Sequence, residues 1–190
     1  MNVLLIGGVA AGTKAAAKLK RENRDMDVTI LTKDRDISYA GCALPYYVGG
    51  EVESRDQLIV NTPEKYAALT GVRVLTGREA FSLDAKGKKV QVKNLEDGSS
   101  ESYGYDALVI ATGASSIVPK MNGAALKGVF KLRMTDDAID MRRYLQESGA
   151  GQAVVVGGGY ICLETAENLN AQGINEHVQA AAPTIIHGVL

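Results

Sequence analysis

The sequence is poor in the residues that build disulfide frameworks and metal sites. Its 190 residues include two cysteines, two histidines and no tryptophan, and the two cysteines, Cys42 and Cys162, are far apart in the sequence. This excludes a disulfide-rich scaffold and a structural zinc site, and we expect no metal centre. The simpler reading of so few cysteines is a reducing compartment, so we expect a cytoplasmic protein.

The chain also lacks a long apolar run and an excess of either charge. No run approaches the ~20 residues that a bilayer demands, and no export signal precedes residues 2–6. The 21 Lys and Arg are balanced by 22 Asp and Glu, so no positive field attracts nucleic acid. We therefore expect neither a membrane nor a nucleic-acid partner.

Glycine, by contrast, is abundant, with 21 residues where the usual ~7% would give fewer. Two glycines, Gly7-Gly8, follow the apolar run 3–6, and an Ala-rich stretch at 11–21 comes next. A second apolar run lies at 28–31. This order predicts a strand, a helix and a parallel strand, which together form a βαβ unit.

The middle of the chain predicts short strands with turns between them. Residues 35–56 have no clear period, and we expect a functional loop that runs into a short helix. A helix should begin at Thr62-Pro63 and stop at Gly71. Strand candidates at 72–75, 80–83, 90–92 and 101–103 suggest an inserted antiparallel meander, followed by a strand at 107–111 and a helix at 135–147.

A second βα arrangement begins late in the chain. The strand at 152–156 is followed by Gly157-Gly158-Gly159 and a helix at 160–171, but only 39 residues remain from residue 152. We therefore expect its next strand to be missing. The fold class predicted is α/β: a Rossmann-like nucleotide-binding domain at 1–150 with a parallel sheet and an inserted meander, then an incomplete second nucleotide-binding unit at 151–190.

The first glycine turn is the best candidate for a binding site. Gly7-Gly8-Val9-Ala10-Ala11-Gly12 lies between strand and helix, where backbone N–H groups and the helix dipole can receive a pyrophosphate. Val9 replaces the usual middle glycine, and a purely structural turn is the alternative. The ribose-binding acid should fall at Thr32, which lacks the charge, and Asp34 is a possible substitute.

The second glycine turn carries Cys162 where a packing glycine is expected. We expect its side chain to push the helix outward or to distort the turn. Cys162 itself is interpreted as structural. The other cysteine, Cys42, lies in a loop, and a loop thiol near a helix N-terminus and cations would be reactive. Its position leaves an inert thiol equally open.

In this order, the motifs resemble the pyridine nucleotide–disulfide oxidoreductases, in particular the branch with a single redox cysteine. The resemblance runs to about residue 173. It is carried by the turns Gly7–Gly12 and Gly157–Glu164, the segments Lys33–Cys42 and Tyr105–Gly113, and Leu132-Arg133.

The resemblance implies FAD and NADH or NADPH as cofactors, which makes 1–150 a Rossmann-like FAD-binding domain and 151–190 an incomplete NAD(P)H-binding unit. The residues implied to hold them are Gly7, Gly8, Val9, Ala10, Ala11, Gly12, Thr32, Lys33, Ala80, Ala111, Thr112, Gly113, Arg133, Gly157, Gly159, Tyr160 and Glu164. Tyr160 resembles an aromatic gate over the flavin. Cys42 would be the catalytic nucleophile and electron relay.

Within this branch, the chain resembles the coenzyme A disulfide reductases. Ala10 stands where oxidases and peroxidases carry a histidine. Lys14, Lys18 and Arg21 share a basic face of the first predicted helix, and this face could hold the phosphates of coenzyme A. The implied substrate contacts are Lys14, Lys18, Arg21, Ser38 and Gly41. Gly41 replaces a frequent asparagine, and a solvated basic face is the alternative for the three cations.

After residue 173 the sequence departs from the family. Residues 174–179 and 183–186 faintly resemble a later FAD segment, with Gly188-Val189 in place of Gly-Asp. We therefore expect a truncated NAD(P)H-dependent reductase of coenzyme A disulfide, or of a related persulfide or polysulfide, that self-associates as a homo-oligomer. The alternatives are a non-catalytic nucleotide-binding remnant and an NADH oxidase or peroxidase.

Overall fold

The computed structural model describes residues 1–180, and residues 181–190 lie outside it. The strands are β1 (Asn2–Ile6), β2 (Asp27–Leu31), β3 (Arg73–Leu75), β4 (Arg78–Asp84), β5 (Lys89–Asn94), β6 (Ser100–Gly104), β7 (Ala107–Ile110), β8 (Gln152–Val156) and β9 (Asn175–Gln179). The helices are α1 (Ala10–Glu22), α2 (Leu44–Gly49), α3 (Arg55–Leu58), α4 (Pro63–Thr70), α5 (Thr135–Ser148) and α6 (Tyr160–Ala171). Within residues 1–180, no helix is both long enough and apolar enough to cross a membrane.

The described chain divides into two compact units. The first unit consists of Met1–Tyr39 and Ile59–Ala114, and the second consists of Ala40–Leu58 and the chain from Ser115 onward. The segment that carries Cys42 is thus grouped with the second unit. The predicted division into 1–150 and 151–190 is a division by ligand, and it stays a prediction.

The first unit is built on a four-stranded parallel sheet in the order β3-β2-β1-β7. Val3 pairs with Val28 of β2 and with Ala107 of β7, which confirms the predicted βαβ unit and parallel sheet. The assignment of residues 72–75 to the meander was wrong, because Val74 of β3 pairs in parallel with Ile30 of β2. Helix α4 precedes β3, and a helical crossover of this kind returns the chain for parallel pairing.

Side chains of the sheet alternate between two packed faces. Leu5 of β1 packs with Ala16 of α1 and Tyr66 of α4. Leu4, its neighbour, packs on the opposite face with Val92 of β5. Strand residues point alternately to either side, so adjacent apolar residues serve both layers. The antiparallel meander β4-β5-β6 covers the second face, as predicted for these three strands.

Helix α4 begins and ends as the sequence predicts. The Thr62 hydroxyl accepts a hydrogen bond from the Lys65 amide at 3.2 Å, and Gly71 ends the helix with a φ of 72°. The Tyr66 hydroxyl donates to the backbone oxygen of Thr13, which ties α4 to α1. Burial raises the pKa of Tyr66 above its ordinary value.

The second unit contains a complete second βαβ arrangement. Strand β9 pairs in parallel with β8, with Val154 opposite His177, and α6 connects them. The expectation of a missing strand was wrong. Asn175–Gln179 has one apolar residue, so the strand gives no apolar run in the sequence, and its main-chain hydrogen bonds carry the pairing. Pro183, Gly188 and Val189, which the faint resemblance to a later FAD segment involved, lie outside the described residues.

Candidate functional site

The first glycine turn is closed so tightly that two of its positions exclude a side chain. The Gly7 amide donates to Leu31 at 2.8 Å, and its φ is +112°. A Cβ on Gly7 would lie 2.1 Å from the backbone oxygen of Ala111, and a Cβ on Gly12 would lie 1.9 Å from the oxygen of Gly7. Both contacts are with backbone, which cannot rotate away, so the turn requires glycine at these two positions.

The N-terminus of α1 presents backbone amides without a competing side chain. No side chain caps the helix at Val9, and its first turn contains no acidic residue. The Thr13 hydroxyl donates instead to the oxygen of Val9, and Ala10 and Ala11 are exposed. The unpaired amides and the positive end of the helix dipole suit an anionic group such as a pyrophosphate.

The residue predicted to face a ribose lies beside this turn. Thr32 is buried, and its Cγ2 would lie 3.1 Å from a Cβ on Gly8. Its hydroxyl accepts a hydrogen bond from the Asp34 amide at 3.4 Å. Its oxygen accepts from the Arg78 amide at 2.9 Å, which draws β4, the strand of Ala80, to the end of β2. Ala80 is half-buried and Lys33 is exposed.

Ser38 contacts the first turn directly, and so does its neighbour Ile37, which the sequence analysis did not single out. The Ser38 amide donates to the oxygen of Gly8 at 3.2 Å, with a φ of +47°. Its neighbour Ile37 is fully buried, with its Cγ2 2.8 Å from a Cβ placed on Gly8. An apolar residue in a loop of polar neighbours is the signal that could have identified Ile37 as part of the turn's support.

The strand end after β7 completes this side of the turn. The Ala111 amide donates to Ile6 at 2.8 Å, so its oxygen lies against Gly7. Thr112 and Gly113 follow on the surface, and Gly113 has a φ of +70°. The structure thus brings together the first glycine turn, Thr32, Ser38 and Ala111 within the first unit.

The three cations of α1 lie on its exposed side. Lys14, Lys18 and Arg21 are exposed, whereas Ala16 is fully buried in the core. Lys18 forms an ion pair with Glu22, one turn further along the helix. The face therefore keeps the basic character that the sequence predicts, with one of its charges partly neutralised.

Cys42 lies at the surface of the second unit. It is a free, exposed thiol in a short 3-10 turn, Gly41–Ala43, directly before α2. The Ala43 amide closes the turn onto the oxygen of Ala40 at 2.9 Å, and the Ala40 amide donates to Leu58 at 2.8 Å. The segment predicted as a loop therefore contains this turn and the short helix α2 and runs into α3, and the hydrogen bond from Ala40 to Leu58 joins the start of the turn to the end of α3. Gly41 is exposed beside the thiol.

Arg133 lies two residues before the start of α5, also in the second unit. Its side chain is exposed, and its amide donates to Oδ2 of Asp137 at 2.9 Å. Asp137 accepts from the Met134 amide as well, at 2.9 Å. The carboxylate caps the helix and fixes the backbone from which Arg133 projects.

The second glycine turn is closed by the same kind of hydrogen bond as the first. The Gly157 amide donates to Gln179 at 2.9 Å, and α6 has neither a side-chain cap at Gly159 nor an acid in its first turn. With Cys162 present the turn keeps its closing hydrogen bond, and the Cys162 Sγ lies 3.7 Å from the oxygen of Val156 while its amide donates to Gly159. The predicted outward displacement of α6 stays a prediction. The thiol fills the space inside the turn, where a Cβ on Gly157 would meet it at 2.6 Å.

Two further predicted residues lie on α6. Tyr160 is 56% exposed at the first position of the helix, so its ring is accessible. Glu164 is half-buried one turn later. Within residues 1–180, no group of three or more His, Cys, Asp or Glu side chains is arranged to hold a metal ion.

Comparison with known proteins gives a consistent result. A family model described as pyridine nucleotide-disulphide oxidoreductase matches residues 1–189. The chain is 36% identical over 186 residues to an NADH oxidase of Methanocaldococcus jannaschii, covering 98% of this chain and 41% of that protein. It is 37% identical over 174 residues to an NAD(P)H coenzyme A polysulfide/persulfide reductase of Pyrococcus horikoshii, covering 92% and 38%.

Two more similarities concern coenzyme A disulfide reductases and a solved structure. The chain is 32% identical over 186 residues to a coenzyme A disulfide reductase of Staphylococcus aureus, covering 98% and 40%. The crystal structure of reduced Bacillus anthracis CoADR-RHD superposes with a TM-score of 0.96 at 30% identity, covering 98% of this chain and 34% of that one. The chain thus spans about two fifths of the length of the curated relatives it matches.

Proposed function

Because the chain belongs to the pyridine nucleotide-disulphide oxidoreductase family, we propose that it is an FAD-dependent NAD(P)H:disulfide oxidoreductase. Its proposed substrate is coenzyme A disulfide or a related persulfide or polysulfide. The observation that carries the proposal is the first glycine turn. Gly7 and Gly12 leave no room for a side chain, and the turn opens onto the uncapped N-terminus of α1.

The residues of the first unit fit FAD. The amides at the start of α1 would hold the pyrophosphate, and Thr32 and Lys33 would lie near the adenosine end, as the resemblance implies. Ala111, Thr112 and Gly113 would provide the second contact. When bound, FAD supplies two-electron transfer between NAD(P)H and a sulfur substrate.

Cys42 would be the thiol that exchanges with the substrate. Its thiolate attacks one sulfur of the disulfide, which breaks the sulfur–sulfur bond, forms a mixed disulfide and releases the other half as a thiolate that takes a proton from water. Two electrons from NAD(P)H and one proton then release the second thiol and restore Cys42. An exposed position in a surface turn suits this exchange, because the incoming disulfide must reach the sulfur in line.

The second glycine turn would receive the nicotinamide dinucleotide. Gly157 and Gly159 shape the turn, the uncapped start of α6 faces the pyrophosphate, and Tyr160 would cover the flavin until nicotinamide displaces it. Glu164 and Arg133 are proposed to contact the cofactors as the resemblance implies.

The basic face of α1 is proposed to hold the phosphates of coenzyme A, with Ser38 and Gly41 near the sulfur end. Replacing Lys14 or Arg21 by Glu should weaken coenzyme A binding about five- to ten-fold, because an attractive charge becomes repulsive. Isothermal titration at low and high salt measures this. Lys86→Glu, at an exposed site in the first unit, is the matched control, and equal weakening there would reject the assignment.

The deciding experiment is the visible spectrum of the purified chain, before and after addition of NADH or NADPH without oxygen. Flavin absorbance that bleaches supports the proposal. Flavin absorbance that persists would leave an FAD-binding protein without hydride delivery. Absence of flavin, even after FAD is added, would favour the non-catalytic nucleotide-binding alternative.

An NADH oxidase is the second candidate, because the Methanocaldococcus jannaschii relative bears that name. Ala10, where such enzymes carry a histidine by resemblance, favours the disulfide reductase. NADH-dependent oxygen consumption without any disulfide would support the oxidase.

The expected homo-oligomer is tested by analytical ultracentrifugation, and the cytoplasmic location stays a prediction.

A further inference from the structure

Helix α2, which follows Cys42, is too short to be stable by itself. It comprises six residues, Leu44–Gly49, without a side-chain cap, and it ends at Gly50 with a φ of 86°. Isolated helices of fewer than about 12 residues are marginal in water. The place of Cys42 at the start of this helix is therefore decided by what α2 packs against.

Helix α6 packs against α2 at close range. A Cβ on Gly49 would lie 2.1 Å from Oδ1 of Asn168 and 2.7 Å from its Cβ. Asn168 is 3% exposed, and its Nδ2 donates to the oxygen of Glu164 at 2.8 Å, which fixes the side-chain amide. Gly49 is thus a contact point where the absent side chain lets α6 approach.

A second contact satisfies the end of α2. Nε2 of Gln172 donates to the oxygen of Val48 at 2.7 Å. The last carbonyls of a helix have no partner within it, and Val48 is buried, so this hydrogen bond supplies what the helix lacks. Gln172 lies directly after α6.

Helix α5 holds the chain that leaves α2. Nη1 of Arg142 donates to the oxygens of Val52 and Glu53 at 2.9 and 3.1 Å. Its guanidinium lies 4.6 Å from the ring centre of Tyr47 on α2. The stacking of Arg142 on Tyr47 and its two hydrogen bonds thus join α5 to α2 and to the residues that follow α2.

We propose that Asn168 and Gln172, supported by Arg142, are positioning residues for Cys42. They hold α2, and α2 holds the turn that carries the thiol. Helix α6 begins at the second glycine turn, so one helix would both receive the dinucleotide and position the redox thiol. The proposal rests on the proposed function in one respect, that Cys42 is the reacting thiol.

The first test measures the holding of α2 by hydrogen exchange in the whole chain. Gln172→Glu keeps the size but removes the donor, and Asn168→Ala removes the close contact. Either should speed exchange of residues 44–50 about five-fold, the factor expected for one lost hydrogen bond. The peptide of α4 should not change. Asn170→Ala, an exposed site on α6, is the control, and Gln172→Lys should restore slow exchange because it keeps a donor.

The second test concerns the thiol itself and needs no bound cofactor. In Gln172→Glu and Asn168→Ala, the alkylation rate of Cys42 should move at least about three-fold towards its rate in the urea-unfolded chain. Cys162, in the same molecule, should keep its rate. In variants that bind flavin, NADH should bleach the flavin absorbance at an unchanged rate. The absorbance should return more slowly than in the unmodified chain when the disulfide is added.

Unchanged exchange at 44–50, or an unchanged Cys42 rate in both variants, overturns the positioning role. Equal acceleration at α4 and at Cys162 would indicate general destabilisation and would also overturn it. Absence of flavin absorbance in the unmodified chain would reject the proposed function alone, because hydrogen exchange and alkylation are measured without bound flavin.

Discussion

The βαβ arrangement at residues 2–31 and the one at residues 152–179 can be compared position by position. In both, the first strand has five residues and the helix begins three residues after the glycine that follows it. The amide of that glycine bonds to the last residue of the second strand, at 2.8 Å for Gly7 and 2.9 Å for Gly157. Neither helix has a side-chain cap. The hydrogen bond that closes each turn is thus the same, although Cys162 occupies the position at which Gly12 leaves no room for a Cβ.

The two arrangements differ in how their strands are covered. In the first unit, α helices and the meander cover opposite faces, and Leu4 and Leu5 are both buried. In the second, Val154 and Val156 of β8 are 66% and 55% exposed within the described residues. A strand–turn–helix therefore forms its backbone hydrogen bonds without a fully covered sheet, and burial comes from the layers added around it.

The largest effect is expected from adding one methyl group to each turn. Gly12→Ala places a Cβ 1.9 Å from a backbone oxygen and should cost at least about 3 kcal/mol of unfolding free energy. Gly159→Ala meets nothing within 4 Å and should cost less than about 1 kcal/mol. Urea unfolding of both variants measures this, and similar losses would contradict the difference in space between these two positions.

The next prediction concerns the ribose position. Ile6 pairs with Leu31 and Val156 with Gln179, so Ala180 of the second arrangement corresponds to Thr32 of the first. Ala180 offers neither an acid, which would bind the ribose hydroxyl of NADH, nor an arginine, which would bind the extra phosphate of NADPH. The unmodified chain should therefore bind NADH and NADPH with similar affinity. Ala180→Glu should favour NADH by about ten-fold or more, through a hydrogen bond to the carboxylate.

Fluorescence titration with both dinucleotides gives the ratio of the two dissociation constants. Thr32→Glu in the first unit is the matched control and should leave that ratio unchanged. A ratio that does not move in Ala180→Glu would break the correspondence of the two ribose positions.

A smaller effect is expected where α4 is tied to α1. Tyr66→Phe should cost about 1 kcal/mol, because the oxygen of Thr13 loses its donor. Burial raises the pKa of Tyr66, so its contribution is fully present below the unfolded value near 10 and is lost as the pH rises through the folded value. Tyr160→Phe, at an exposed position of the second unit, is the control and should leave the free energy of unfolding unchanged.

The smallest effect is expected in the turn between β5 and β6. Hydrogen bonds from Ser99 lower the pKa of Asp97, so its contribution is present above the unfolded value near 4 and is lost as the pH falls through the folded value. Asp97→Asn should flatten the acid limb of the stability curve slightly. An unchanged acid limb would show that the exposed turn contributes nothing to the meander.

Most elements could be predicted, because their signals are local. The apolar run before Gly7-Gly8, the capped start at Thr62 and the left-handed end at Gly71 each determine structure within a few residues. Strand β9 could not, because Asn175–Gln179 has no apolar run and is defined by its partner β8. The parallel pairing of β3 also depends on a distant strand.

The site was predictable only in part for the same reason. The glycine spacing identifies the first turn, but its support by Ile37 and the contact of Gly7 with Ala111 depend on residues far apart in the sequence. The fit of Cys162 inside the second turn depends on a sulfur position that spacing does not give. Residue types predict the chemistry, and tertiary contacts decide the geometry.

The hydrogen bond from Gln172 to Val48 also bears on the order of events during synthesis. It joins residues 124 positions apart. At a translation rate of about 5–20 residues per second, Gln172 is made about 6–25 seconds after Val48. The first unit, whose last residue is Ala114, can begin to fold on the ribosome in that interval. Cys42 is therefore made early, and the contact that fixes α2 behind it forms late.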